Sequence, residues 1–338
     1  MSNPFLVEVT RGGLVESRHR GAIAIVDADL ASVLVIGDIA TPVFPRSAVK
    51  PLQALPLVES GAADRFGFGN EELALACASH GGEPAHVDGV AHMLAKAGLD
   101  ASVLACGTHW PSSQAVAFAL ARTGAAASAL HNNCSGKHAG FLCVACAMGV
   151  DHEGYCQPEH AVQRAVRAVL EDLTGAALSQ DCRAIDGCSV PTWATPLKNL
   201  AFAFAKFGTG HGLGPERARA AARLRIACAL KPWYVAGTGR FCTEIMGLLG
   251  PRALVKTGAE GVFCGALPEL GLGIAIKCDD GAGRAAEAIM AALIARFLPT
   301  DDQERAALVR FARPTVRNWN GIAVGELRVT DAISGKSA

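Results

Sequence analysis

Strand-like runs at the two ends of this chain enclose a long helical middle, and that arrangement constrains the fold more than any other feature. From Phe5 to Asp38 the runs "FLVEVT", "GAIAIVDA" and "SVLVIGD" alternate with Gly and Asp turn signals, the pattern of an antiparallel meander. From about Pro45 to Leu230 the pattern changes to Ala- and Leu-rich windows such as "EELALACAS", "AVAFALART" and "EHAVQRAVRAVLEDL", broken by Gly- and Pro-containing loops. Strand-like runs then return in "ALVKTG", "GVFCGAL" and "GIAIKCDD", followed by the helical "GRAAEAIMAALIARFL" and a last strand-like "GIAVGELRV". The economical arrangement is an α+β fold: one antiparallel sheet built from residues 1–45 and 231–330, helices packed on it, and a mostly helical part over 46–230 inserted between.

Charge and hydropathy then narrow the partner. Lys plus Arg (31) equals Asp plus Glu (31), so no overall field draws in nucleic acid or an anionic membrane, and a small molecule is the expected partner. Mean hydropathy is +0.28, but the most apolar stretches, "AGFLCVACAMGV" and "AIMAALIARFL", stop short of the roughly 18 residues needed to span a bilayer. The N-terminus reaches Glu8 before any apolar run of signal-peptide length, which points to a soluble cytoplasmic protein. The twelve cysteines are read as free thiols, since a core of this size needs no disulfide staples. Cys77, Cys143, Cys146, Cys228 and Cys264 sit among apolar residues and read as inert core, whereas Cys134 and Cys188 are surrounded by Asn, Ser, Gly, Lys, His and Asp.

The chemistry-bearing motifs lie in the middle segment and the returning strands. "FPRSAVKPLQ" sets Ser47 three residues ahead of Lys50, a spacing that chance supplies about 0.4 times in a chain of this composition. A serine hydroxyl needs a neighbouring base before it attacks anything, and a lysine on the same face can be that base. Pro51 disfavours an ordinary helix here, so a short 3₁₀ turn is the predicted geometry. Lys256 in "VKTG" falls on a predicted strand. Ser-x-x-Lys followed much later by Lys-Thr-Gly is the order seen in serine β-lactamases and penicillin-binding proteins, although their middle Ser-Asp-Asn is missing. In "ACASHGGEPAH", Ser79 and His80 are expected to stand exposed at the mouth of a cleft. "HNNCSGKHAG" packs Cys134, Lys137 and His138 into one turn before a buried helix, where backbone N–H groups with Asn132 and Asn133 suit a carbonyl or carboxylate. Cys134 could join Cys188 of "IDGCSVPTW" around a soft metal such as zinc, or the two could be unrelated loop cysteines.

Taken together, "FPRSAVKPLQALPLV", "CASHGGEPAHV", "HNNCSGKHAGFL", "AIDGCSVPTWATPL", "VAGTGRFCTEIM" and "KTGAEGVFCGALPELGLGIAIKCDDG" resemble the rhizobial-type L-asparaginases, the asparaginase II family. The resemblance runs from about Val7 to Val329. It implies a homodimeric serine hydrolase that converts L-asparagine to L-aspartate and ammonia, with a fold similar to serine β-lactamases and glutaminases. Two Ser-Lys tandems are implied, Ser47 with Lys50 and Ser79 with Lys256, together with a zinc site of Cys134, Lys137 and Cys188, about one ion per chain as a three-ligand site with an open position would hold. Ser47 is then the expected nucleophile, Lys50 its base, and Ser79 with Lys256 a second proton relay. Arg46, Asn133, His138, Asp186 and Arg240 are candidates for holding the substrate. The tail 331–338 matches nothing in the family and is expected to be disordered. Two other readings stay open: another serine amidohydrolase on the same fold, such as a glutaminase or β-lactam hydrolase, and a non-catalytic amino-acid or zinc sensor.

Overall fold

The computed structural model describes residues 2–334. Its main sheet has eight strands, all paired antiparallel, and draws on both chain ends. In spatial order they are Thr315–Arg317, Ala323–Val329, Phe5–Arg11, Leu14–Asp27, Leu272–Cys278, Val262–Leu267 and Leu254–Thr257, with Ser32–Ile36 paired to the far half of Leu14–Asp27. The fourteen-residue strand Leu14–Asp27 is the hinge of this arrangement: its first half pairs with Phe5–Arg11, and its second half with Leu272–Cys278. The α+β class expected from the strand-helix-strand pattern is the one observed.

Helices cover both faces, which is why the central strands are near-continuous apolar runs rather than alternating ones. Helix Leu197–Thr209, inside the stretch read as the helical part, lies against Leu14–Asp27, Val262–Leu267 and Leu272–Cys278. It comes so close that a Cβ at Gly273 would stand 1.9 Å from Ala201 O. The adjacent Ile274 points to the other face, where its cross-strand partner Gly265 packs on Met290 of helix Gly283–Phe297. Ile274 and Ile276 are fully buried, each contributing about 1.5–3 kcal/mol. On the edge strand Leu254–Thr257, Val255 pairs with Gly265, so its neighbour Lys256 points to the opposite face, toward the helical layer. That alternation aims Lys256 at the candidate site.

Three features depart from the sequence reading. The middle segment is not helical throughout: Arg183–Ile185 and Pro191–Trp193 form a small hairpin, and Pro42–Val43 pairs with Thr195–Pro196. The tail is ordered over Asp331–Ser334, a one-turn helix whose Ile333 is fully buried, held by Arg296 Nη1 donating to Ile333 O at 2.8 Å. Residues 335–338 lie outside the described residues. Among the described residues no helix is long and apolar enough to cross a membrane.

Candidate active site

The turn that presents Ser47 is a 3₁₀ helix, Arg46–Val49, running into one α-helical turn, Lys50–Gln53. Arg46 enters it at φ +51°, a left-handed conformation costing a side-chain-bearing residue about 1 kcal/mol or more. Tertiary contacts impose this geometry. Arg46 Nε is ion-paired with Asp186, and Gly258 lets the loop after Lys256 close on the turn, since a Cβ there would stand 2.9 Å from Pro45 O. Ser47 is left half-buried, and its hydroxyl makes no hydrogen bond among the described residues.

Lys50 turns inward rather than back to Ser47. Fully buried, its Nζ donates to Ala78 O at 2.5 Å, Ser79 Oγ at 3.0 Å and Asn133 O at 3.2 Å, the three acceptors an ammonium requires. Lys256, equally buried, lies 2.8 Å from Ser79 Oγ and 2.9 Å from Thr257 O. Burial, and after it the Lys50 charge, pull the Lys256 pKa down to about 7. The expected contact of Ser79 with Lys256 is present, and Lys50 joins the same Ser79 hydroxyl instead of that of Ser47.

Ser79 and His80 are buried, contrary to the expected exposed position. The reason is that their loop runs under helix Pro232–Ala236: Ser79 N donates to Val235 O at 2.9 Å, and His80 stacks on His86, which stacks on Trp233. Gly82 N–H donates to His80 Nδ1, so His80 Nε2 carries the proton that faces Ser135 Oγ at 2.9 Å. Ser135 in turn donates to Leu130 O, which ties the Ser79 loop to the helix bearing Lys137. Neither His80 nor Ser135 was singled out in this role, because their partners are 55 residues apart.

The thiols converge close by. Cys134 precedes helix Ser135–Met148, whose first turn carries Lys137 and His138, while Asp186 and Cys188 occupy the turn of the small hairpin. Lys137 Nζ donates to Cys188 Sγ at 3.2 Å, the Cys188 thiol donates to Asp186 Oδ2 at 3.6 Å, and the Cys134 thiol donates to Asn133 Oδ1 at 3.0 Å. The neighbouring Cys188 thiol, aided by the Lys50 and Lys137 charges, holds Cys134 well below its ordinary pKa against the effect of burial. Its counterpart Cys188 is raised by the proximity of Cys134 and by burial. Burial opposes a charged Lys137, yet the two sulfurs and Asp186 keep its proton bound more firmly than usual. Among the described residues no three His, Cys, Asp or Glu side chains gather as a metal site. Two soft sulfur donors with a lysine amine completing them are nonetheless a chemically apt donor set for zinc.

The remaining candidates fall in different settings. Arg46 and Asp186 pair with each other, a cation and an anion side by side as the charges of a free amino acid would need. Asn133 is half-buried; its carbonyl holds Lys50 and its Oδ1 lies 3.0 Å from Cys134 Sγ. His138 is buried with Nδ1 2.6 Å from Tyr155 Oη, and its Nε2 has no partner among the described residues. Burial keeps it neutral by lowering its pKa well below the usual value. Arg240 is half-buried, and its guanidinium makes no hydrogen bond or close ion pair among the described residues, though its charge is felt at Lys256. A cleft of about 570 Å³ lined by Phe44, Arg46, Ile185 and Glu260 opens beside this centre and reaches it only through Arg46.

The α+β scaffold thus presents a half-buried serine hydroxyl, a second hydroxyl held by two lysines, and a buried lysine whose pKa is about 7. The model of the L-asparaginase II family matches residues 7–329, and the chain belongs to that family. That membership makes it an amidohydrolase acting on a small molecule. A search of curated proteins found no match. Among solved structures, the chain is similar to a β-lactamase from Mycobacterium bovis, at 14% identity and TM-score 0.38 over 79% of this chain and 89% of that one. It is also similar to a protein named Mglu, at 18% identity and TM-score 0.33 over 79% and 64%.

Proposed function

We propose that the protein hydrolyses L-asparagine to L-aspartate and ammonia, with Ser47 as nucleophile. The observation that carries this reading is Ser79 Oγ held at 3.0 Å from Lys50 Nζ and 2.8 Å from Lys256 Nζ, with Lys50 three residues along the chain from Ser47, whose hydroxyl makes no hydrogen bond among the described residues. Lys256, with a pKa of about 7, offers a lone pair to the Ser79 proton. When that proton moves to Lys256, Ser79 takes one from Lys50, and the freed Lys50 amine, released from Ser79 and turned toward Ser47 once substrate is bound, takes the proton of Ser47 as its oxygen attacks the side-chain amide carbon. Run in reverse, the same chain delivers a proton to the departing nitrogen, which leaves as ammonia. An aspartyl ester on Ser47 remains, and water cleaves it by the same relay. The α-carboxylate and α-ammonium of the substrate are assigned to Arg46, Arg240 and Asp186, with Asn133 and His138 beside them. Ammonia release from L-asparagine, compared with L-glutamine and a chromogenic β-lactam, tests the assignment.

The relay sets the pH dependence. Protonation of Lys256 removes the acceptor that Ser79 needs, so kcat/KM is expected to fall about tenfold per pH unit below pH 7 and to level off above it. A profile flat from pH 5 to pH 9, in a protein that stays folded, would contradict the role given to Lys256.

Cys134, Lys137 and Cys188 would hold zinc, which supplies a fixed positive charge beside the substrate. In its absence the Lys137 ammonium provides that charge to the two sulfurs. Because the nucleophile and base lie elsewhere, removal of the metal is expected to raise KM more than it lowers kcat. Elemental analysis should find about one zinc per chain, and Cys134→Ala or Cys188→Ala should lose it. Zinc-free protein prepared without chelator, or an unchanged KM in both variants, would remove the metal from the account.

A further inference from the structure

Glu83 belongs neither to the serine-lysine network nor to the thiol cluster, yet it joins two loops that frame the site. It stands four residues after Ser79, at the start of helix Pro84–Lys96. Its Oε1 accepts the Thr238 N–H at 2.8 Å and its Oε2 accepts the Thr238 hydroxyl at 2.7 Å. Trp233 Nε1–H also donates to that hydroxyl at 2.9 Å. Thr238 lies between Gly237 at φ +106° and Gly239 at φ +68°, and a Cβ at 237 would stand 2.5 Å from Glu83 Oε1. The carboxylate thus holds Thr238 by its N–H and its hydroxyl just beyond Gly237, which is itself fixed by its N–H to Trp233 O at 2.8 Å and by Thr243 Oγ1 donating to its carbonyl at 2.7 Å, and just before Gly239, whose conformational freedom is wide. Two residues on is Arg240, the half-buried guanidinium without a close partner whose charge reaches Lys256.

We propose that Glu83 is a positioning residue: by fastening Thr238 it fixes the loop from which Arg240 presents its guanidinium to the substrate carboxylate. The inference rests on the asparagine-hydrolase reading and on Arg240 as a substrate contact. Freed from Glu83, the Thr238–Gly239 segment has to be ordered each time substrate binds, and that cost enters affinity. The proton relay is anchored elsewhere, so the chemical step is spared.

Steady-state kinetics on the full chain test it. Glu83→Ala should raise KM for L-asparagine about tenfold, the part of the lost anchoring that reappears as loop-ordering cost on binding, while kcat changes far less. Glu83→Gln keeps an acceptor for the Thr238 N–H and an amide that can donate to its hydroxyl, and should recover most of the loss. In an Arg240→Ala background, Glu83→Ala should add nothing, because the two act through one contact. Thr238→Val, a change at an exposed side chain, should shift KM in the same direction should Glu83→Ala fail to fold. Hydrogen exchange supplies a readout without substrate: the Thr238 amide is expected to be protected in the parent protein and to exchange much faster in Glu83→Ala. Unchanged KM in Glu83→Ala and Thr238→Val, a full additional KM rise over Arg240→Ala, or equal Thr238 exchange in both proteins would overturn the proposal. A parent protein that releases no ammonia from L-asparagine would instead overturn the functional reading, and the exchange experiment would still decide whether Glu83 holds the loop.

Discussion

Ser47→Ala is expected to lower kcat/KM for L-asparagine roughly 10⁴-fold or more in a protein that still folds. The hydroxyl makes no hydrogen bond among the described residues, so its removal should change stability by no more than about 0.5 kcal/mol. Its exposure suits an attacking group: Ser47 is half-buried at the head of a turn, whereas Ser79 is 7% exposed and held by both lysines. The check is ammonia release alongside a thermal melt. Activity within tenfold of the parent protein, with an unchanged melt, would move the nucleophile to Ser79.

The second large effect concerns the lysines. Lys50→Met and Lys256→Met are each expected to cost about 10³-fold in kcat, and the double variant little more than either, because both amines act through one hydroxyl. Lys50→Met also leaves Ala78 O and Asn133 O without their donor, which should destabilise the protein by about 1–3 kcal/mol. It carries a further signature. The Lys50 charge helps depress Lys256, so in the residual activity of Lys50→Met the pH inflection should move upward from about 7. Losses that multiply in the double variant, with no movement of the inflection, would mean that the two lysines serve separate tandems.

The parts of this account that were legible in the sequence are those that local pattern controls. Alternating runs at both ends gave away the shared sheet, and Pro51 after a Ser-x-x-Lys spacing predicted the 3₁₀ turn that is observed. What local pattern does not control was misread. At i, i+3 spacing Lys50 should meet Ser47, but two backbone carbonyls from distant segments, Ala78 and Asn133, draw its ammonium inward to Ser79. Ser79 and His80 looked exposed because the Trp233 and His86 rings that cover them come from elsewhere in the chain. The Asp186 hairpin was missed because its strands are three residues long and its turn puts Ser189, not a glycine, at φ +75°. Nothing near Thr238 in sequence names Glu83 as the residue that fastens its loop, since the two are 155 residues apart.

The central claim is that Ser47 attacks while Ser79 relays, and locating the covalent intermediate tests it most directly. Protein quenched in acid during turnover of L-asparagine, digested and mapped by mass spectrometry, should carry an aspartyl ester on the peptide containing Ser47, and Lys256→Met should fail to accumulate it. An aspartyl group on the peptide containing Ser79 would contradict the account.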